Sequence, residues 1–209
     1  LDVELSDDSR ERLLIPAQDF WRQKVATDAT LSQLVFDRKC TPEKMLAEIK
    51  SYTGRPYLKF RRPEGNLKEA QANLQETWQK VCGQLEDLEK AFWAIFPKLN
   101  GNIYRKNTFE NVFTNLKTNA EFNRLPSLGK QTLEKLNHFS VNTLNSNLKK
   151  EYKAYADVPE IIQLQALANL GCDLQAMESA EEAVFICLQL DLLSYINQSI
   201  AEQKKSRRE

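Results

Sequence analysis

One histidine, His138, is all this 209-residue chain contains. A Ser-His-Asp or Cys-His arrangement would have to use it. It sits between Asn137 and Phe139 in a helical stretch, with no partner residues in the neighbouring sequence, so a structural or solvated histidine is the expectation. The four cysteines, Cys40, Cys82, Cys172 and Cys187, are far apart and form no CxxC. With one histidine, that excludes the usual zinc-ligand spacings. The thiols are expected to be free, as in a reducing cytoplasm, which is the expected location. Only six glycines and seven prolines occur. Long helices tolerate few of either, and no segment alternates apolar and polar residues as a half-buried strand does. No repeat of 20–50 residues is evident. No uninterrupted run of about 18 apolar residues exists, so no membrane span is expected, and no signal peptide is apparent. The only methionines are Met45 and Met177 and residue 1 is Leu, so the chain is expected to be a piece of a longer protein.

What is present is a strong helical pattern. Hydrophobic residues make up 42% and charged residues 28%, enough apolar material for a core with a soluble surface. Residues 6–26 read as a helix with Ser6, Asp7, Asp8 and Ser9 as capping candidates. Its apolar face carries Leu13, Leu14, Ala17, Phe20, Trp21 and Val25, and Pro16 is expected to kink it or set off its first turn. Asp28 to Phe36 reads as a second, short helix. Thr41-Pro42 is a helix start, an N-cap followed by proline at the first helical position. That helix should bury Met45 and Ile49, with Tyr52 as a further candidate, and end at Gly54. Residues 55–65, between Pro56 and Pro63, read as an irregular connector.

The clearest periodicity follows. Leu67, Ala70, Leu74, Trp78, Val81, Leu85, Leu88, Phe92 and Ile95 fall on one helical stripe, which predicts a single long helix over 66–96. Asn66 with Glu69 resembles a capping box. Shorter helices are expected over 106–118, 129–136 and 139–150. Another should begin at Pro159, with Gly171 as a punctuation, and a final long one should cover 174–206 with Val184, Leu188, Leu192, Tyr195 and Ile196 inward. The expected fold is all-α: one elongated helical domain over 1–209 with two long helices and several short ones.

Net charge is zero, but the charges are segregated. Residues 50–68 carry six Lys/Arg against one Glu. Residues 98–153 carry ten against four Glu. Residues 154–203 carry eight acids and no Lys or Arg. Such segregation suggests a face for an anionic partner, although charge runs also serve simply as solvated helix faces. Two basic stretches are interleaved with aromatics. One holds Arg55, Tyr57, Lys59, Phe60, Arg61 and Arg62; the other holds Tyr104, Arg105 and Lys106. Lys and Arg neutralise phosphates, and exposed aromatics stack on bases. The competing reading has Tyr57, Phe60 and Tyr104 pinning their loops to the core. The expected DNA contacts are Arg55, Lys59, Arg61, Arg62, Arg105 and Lys106, then Lys117, Arg124 and Lys130. Leu128-Gly129-Lys130-Gln131-Thr132 fails as a phosphate-binding loop. Position 124 is Arg where glycine is needed, and Gln131 follows the lysine where Ser or Thr is needed. Glu181 and Glu182 read as ordinary helix acids. No catalytic, cofactor or metal residues are expected.

The order of these pieces resembles the RecB family, the beta subunits of bacterial exodeoxyribonuclease V, which are helicase–nucleases related to UvrD-type helicases. The residues carrying it are ERLLIPAQDFWRQKV with Asp19-Phe20-Trp21-Arg22, the long helix with Trp78, IYRKNTFENVF, SLGKQTLEKLNHFSVNTL with Leu133, Glu134, Lys135 and Phe139, and the closing AEQKKSRRE. Residues 55–65 and 150–170 match least. The resemblance implies the helical insertion, subdomain 1B, of the first motor domain. The family's ATPase motifs and nuclease domain are absent. It implies a subdomain that guides duplex DNA and contacts RecC-like and RecD-like subunits in double-strand break repair, with ATP and Mg used only by the parent enzyme. For the piece itself it implies no ATPase, helicase or nuclease activity, and a monomer is expected. The alternative from the residues alone is a helical scaffold docking a partner through the acidic C-terminal half or the long helix.

Overall fold

The computed structural model describes residues 13–55, 57–122, 124–125 and 130–206, with side chains at 130–132 and 206 left aside. The capping candidates Ser6, Asp7, Asp8 and Ser9, the pair Leu128-Gly129 and the tail from Arg207 lie outside the described residues. The all-α expectation holds: helices account for the regular structure, and the described residues contain no strand. One isolated bridge joins Leu99 and Leu148. The chain divides into two compact units. The first is Leu1–Gly65 with Ala180–Glu209, and the second, inserted between them in sequence, is Asn66–Ser179.

In the first unit, helix α1 covers 13–20 and widens at Trp21–Val25 into a π turn, closed by Ala26 N–H donating to the Trp21 carbonyl at 2.9 Å. Helix α2, Ala29–Asp37, starts where the Asp28 carboxylate accepts from the amides of Thr30 and Leu31 at 2.9 and 3.1 Å. Helix α3, Pro42–Ile49, starts where Thr41 Oγ1 accepts from Lys44 N at 3.3 Å, with proline in the first turn. Both caps satisfy amides that a helix cannot satisfy itself. A 3-10 turn, Lys50–Tyr52, follows, and Gly54 adopts φ +73°, the left-handed conformation that ends helices at little cost only for glycine. Ala17, Phe20, Val25, Leu34, Met45 and Ile49 form the core with Leu188, Leu192, Leu193 and Ile196. Tyr52, a candidate for burial, is exposed and meets Phe60 edge-on instead.

In the second unit the predicted single helix over 66–96 is two helices. Helix α4, Leu67–Gly83, and helix α5, Leu85–Ile95, are separated at Gln84, whose backbone leaves helical geometry at φ −132°, ψ 18°. The stripe survives the break, with Leu74, Trp78, Val81, Leu85, Leu88, Phe92 and Ile95 all buried. Two features of the sequence favour it. Gly83 is a poor interior helix residue, and Glu86 and Asp87 stabilise a fresh N-terminus at α5. The Asn66 cap forms: its Oδ1 accepts from Glu69 N at 3.2 Å, and its side-chain Nδ2, in place of the backbone N–H of a full capping box, donates to the Glu69 carboxylate at 3.0 Å.

Helix α6 is Lys106–Glu121, α7 Lys130–Leu136, α8 Val141–Ser146 and α9 Pro159–Gln163, with 3-10 turns at Asn137–Phe139 and Lys150–Tyr155. The core centres on Phe92, whose ring has Trp93 and Phe109 at 5.0 Å, Phe139 at 5.2 Å and Phe113 at 5.6 Å.

Helix α10, Gln165–Ser206, contributes to both units. It begins nine residues before the expected 174, and Gly171 lies inside it rather than punctuating it. A Cβ at Gly171 would stand 2.9 Å from Leu136 Cβ, so its bare backbone is what lets the α7 end pack there. The stretch Pro159–Lys205 is also long and apolar enough to cross a membrane, with a mean hydropathy of 1.3 in its most apolar window. The expectation rested on an uninterrupted apolar run, which is still lacking; scattered polar residues break the run without lowering the average below this criterion. Leu188, Leu192 and Ile196 in the same stretch are core residues of the first unit, and a core helix meets the same criterion.

Candidate nucleic-acid contact residues

The nine expected contacts divide between the units. Arg55, Lys59, Arg61 and Arg62 lie on the connector of the first unit. Arg105, Lys106, Lys117, Arg124 and Lys130 belong to the second. The first eight are exposed, and the Lys130 side chain lies outside the described residues.

The connector is irregular, as its two prolines require, and it is held along the α10 portion of its own unit. Gly54 N–H donates to Asn197 Oδ1 at 2.8 Å, Cys187 Sγ lies 3.6 Å from the Pro63 carbonyl oxygen, and the Arg62 guanidinium pairs with Asp191. Gly65 packs so closely that a Cβ there would stand 2.7 Å from Ala183 Cβ. Tyr57 is 73% exposed and Phe60 43%. Among the described residues Arg55, Lys59 and Arg61 have no ion-pair partner. Arg62 does, and Asp191 raises its pKa by hydrogen bond and by charge.

In the second unit, Arg105 stands at the N-cap of α6, and Lys106 follows in the first turn, 3.6 Å from Glu110. Lys117 is paired with Glu89, and the Arg124 guanidinium lies 5.4 Å from the Phe122 ring. The two basic-aromatic stretches therefore resolve in opposite ways. Tyr104, beside Arg105, is 1% exposed and stacks on Phe109, with its hydroxyl donating to the His138 carbonyl at 2.9 Å. Burial pushes its phenol pKa up. Tyr104 is a core residue, whereas Tyr57 and Phe60 face solvent. Nothing in residue type separates the two cases; the difference is that Tyr104 immediately precedes a helix whose Phe109 receives its ring.

His138 has a buried Nδ1 with no hydrogen-bond partner among the described residues, and burial, then the Lys135 charge, lowers its pKa. The four cysteines are free thiols, and burial raises the pKa of Cys40 and Cys82. Among the described residues no three of His, Cys, Asp and Glu gather as a metal site would need. Glu182 pairs with Arg38 at 2.7 Å across 144 residues of sequence.

One concavity of about 230 Å³ lies in the first unit, bounded by Arg55, Phe60, Arg62, Ser194 and neighbouring leucines. Sequence reasoning named the arginines but missed Ser194, which only the packing of the connector on α10 brings beside them. No family profile, no curated protein and no solved structure matches this chain.

Proposed function

We propose that this chain is a DNA-guiding, subunit-contacting helical subdomain of a RecB-like, ATP-dependent helicase–nuclease, with no catalysis of its own. Under this reading the parent enzyme supplies ATP and Mg chemistry, and RecC-like and RecD-like subunits are neighbours. The observation that carries it is the connector at 55–65, described at 55 and 57–65. It presents Arg55, Lys59 and Arg61 without ion-pair partners among the described residues, beside two exposed aromatic rings, on backbone tied down at several points. Fixed, unpaired cations on irregular chain suit phosphate contact that orients DNA without reading its sequence. Arg105 extends this set in the second unit. Arg62, Lys106 and Lys117 already hold carboxylates, so their share is smaller.

The test is fluorescence-anisotropy binding to a blunt-ended duplex across a salt series. Binding should weaken steeply, with a log–log slope of about 3–4 for four neutralised phosphates. Charge reversal at Arg55, Lys59, Arg61 and Arg105 should abolish it. Unchanged binding by that variant overturns the contact assignment, and no binding at low salt removes the DNA-guiding reading.

A second reading, a scaffold for a protein partner, draws on exposed Ile15 and Phe36 in the first unit and Phe122 and Ile162 in the second. The acidic C-terminal half gives it less support than its composition suggested, since Glu182 and Asp191 are already engaged by Arg38 and Arg62.

A further inference from the structure

The anchored connector leaves a hollow between its two ends. Gly54 is fixed to Asn197 and Arg62 to Asp191, both on α10. The described connector residues and α10 together bound about 230 Å³. Leu58, Leu190 and Leu193 line part of the hollow, whose exposed lining is mainly polar, and Phe60 supplies an aromatic ring. Arg55 brings a guanidinium with no ion-pair partner among the described residues, and Ser194 a hydroxyl. Asp191 holds the second guanidinium, Arg62, in place.

An exposed aromatic ring stacks on the face of a flat heterocycle, and a free guanidinium and a hydroxyl donate to phosphate oxygens. Along a duplex the base faces are covered by stacking on one another, and only base edges and phosphates are open to a protein. An unpaired nucleotide offers both base face and phosphate. We propose that this hollow receives a single unstacked nucleotide at the frayed or overhanging end of a duplex. Its base lies against Phe60 and the leucines, and its phosphate takes hydrogen bonds from Arg55 and Ser194. This rests on the DNA-guiding reading and deepens it: the connector then tells a single-stranded end from a blunt one.

The whole chain is titrated with a fluorescein-labelled blunt duplex and with the same duplex carrying a four-thymidine overhang, at one salt concentration. The overhang should bind about fivefold tighter or more, the range expected for one base stacked on an aromatic side chain. Phe60→Leu, at an exposed site where folding is not at stake, should erase that advantage. Equal affinities for the two duplexes in the wild-type chain overturn the proposal, as does an overhang advantage that survives Phe60→Leu. A second measurement separates this failure from failure of the DNA-guiding reading. Thymidine 5′-monophosphate and inorganic phosphate are titrated separately while the amide resonances of Gly54, Phe60 and Ser194 are followed. Shifts with the nucleotide that exceed those with phosphate support the pocket even if duplex binding is absent. Equal shifts with both reduce it to a plain anion site and overturn the nucleotide assignment, and no shift with either overturns it outright.

Discussion

The two units solve the same problem with different materials. The second is built around rings: Phe92 touches Trp93, Phe96, Tyr104, Phe109, Phe113 and Phe139, and hydroxyl and carbonyl meet where Tyr104 reaches His138. The first has a largely aliphatic core, closed by contacts between residues far apart in sequence, among them Arg62–Asp191, Arg38–Glu182 and Gln189–Glu48. Large rings give a core its area from few residues and fix it by shape. Surface ion pairs contribute little energy each, so the first unit depends on its leucines and on close backbone approach. The exposed basic connector belongs to this second kind of construction, where a loop is laid along a helix rather than sunk beneath it.

The comparison breaks most visibly at Phe92. Phe92→Ala should destabilise the second unit by about 3–5 kcal/mol, since a fully buried ring leaves a cavity its neighbours cannot fill. Hydrogen exchange should speed up at Phe113 and Leu116 well before it does at Leu192; equal acceleration in both units would mean that the cores do not open separately. The two close glycines come next. Gly171→Ala and Gly65→Ala each force a Cβ into a neighbouring Cβ, at 2.9 and 2.7 Å. Each should cost about 1–3 kcal/mol, the usual penalty of overpacking, read as a lower midpoint in urea. The first should loosen exchange in the second unit and the second in the first. A variant as stable as the parent chain would show that the approach is slack.

The smallest effect is a pH dependence specific to the second unit. The folded state lowers the His138 pKa, so the unfolded chain takes up the proton first. Stability from this group is complete at pH 7.5 and falls as pH drops through the ordinary histidine value of about 6.5 toward the lower folded value. His138→Gln should remove that slope, so the melting temperature of the wild type relative to the variant should decline between pH 7.5 and 5.5. A difference that stays constant places the imidazole in water, and one that grows means that the folded state favours the imidazolium instead.

Local signals were legible wherever a short stretch decides the outcome alone. The caps at Thr41 and Asn66 form with the residues and spacing expected, and so does the buried stripe from Leu74 to Ile95. The stripe misled on continuity, because a helix broken at Gln84 can keep the same residues inward on both sides. Gly171 misled in the opposite sense. A glycine in a helix reads as a stop, yet here its lack of a side chain serves a crossing that only the fold creates. Of the candidate contacts, sequence gave the charges but not their partners. Asp191 lies 129 residues from Arg62, and no local pattern links them.

That same separation bears on the order in which the molecule is made. The second unit is one continuous stretch, Asn66–Ser179, so every residue it needs has been synthesised once Ser179 has left the ribosome. The first unit still lacks Ala180–Glu209 at that moment. Phe20, Leu34, Met45 and Ile49 wait for Leu188, Leu192 and Ile196, which come later. Contacts this distant are slow to form, and apolar residues that wait for them are exposed to wrong partners. The N-terminal helices of the nascent chain are thus the part most in need of protection, until the end of α10 arrives to cover them.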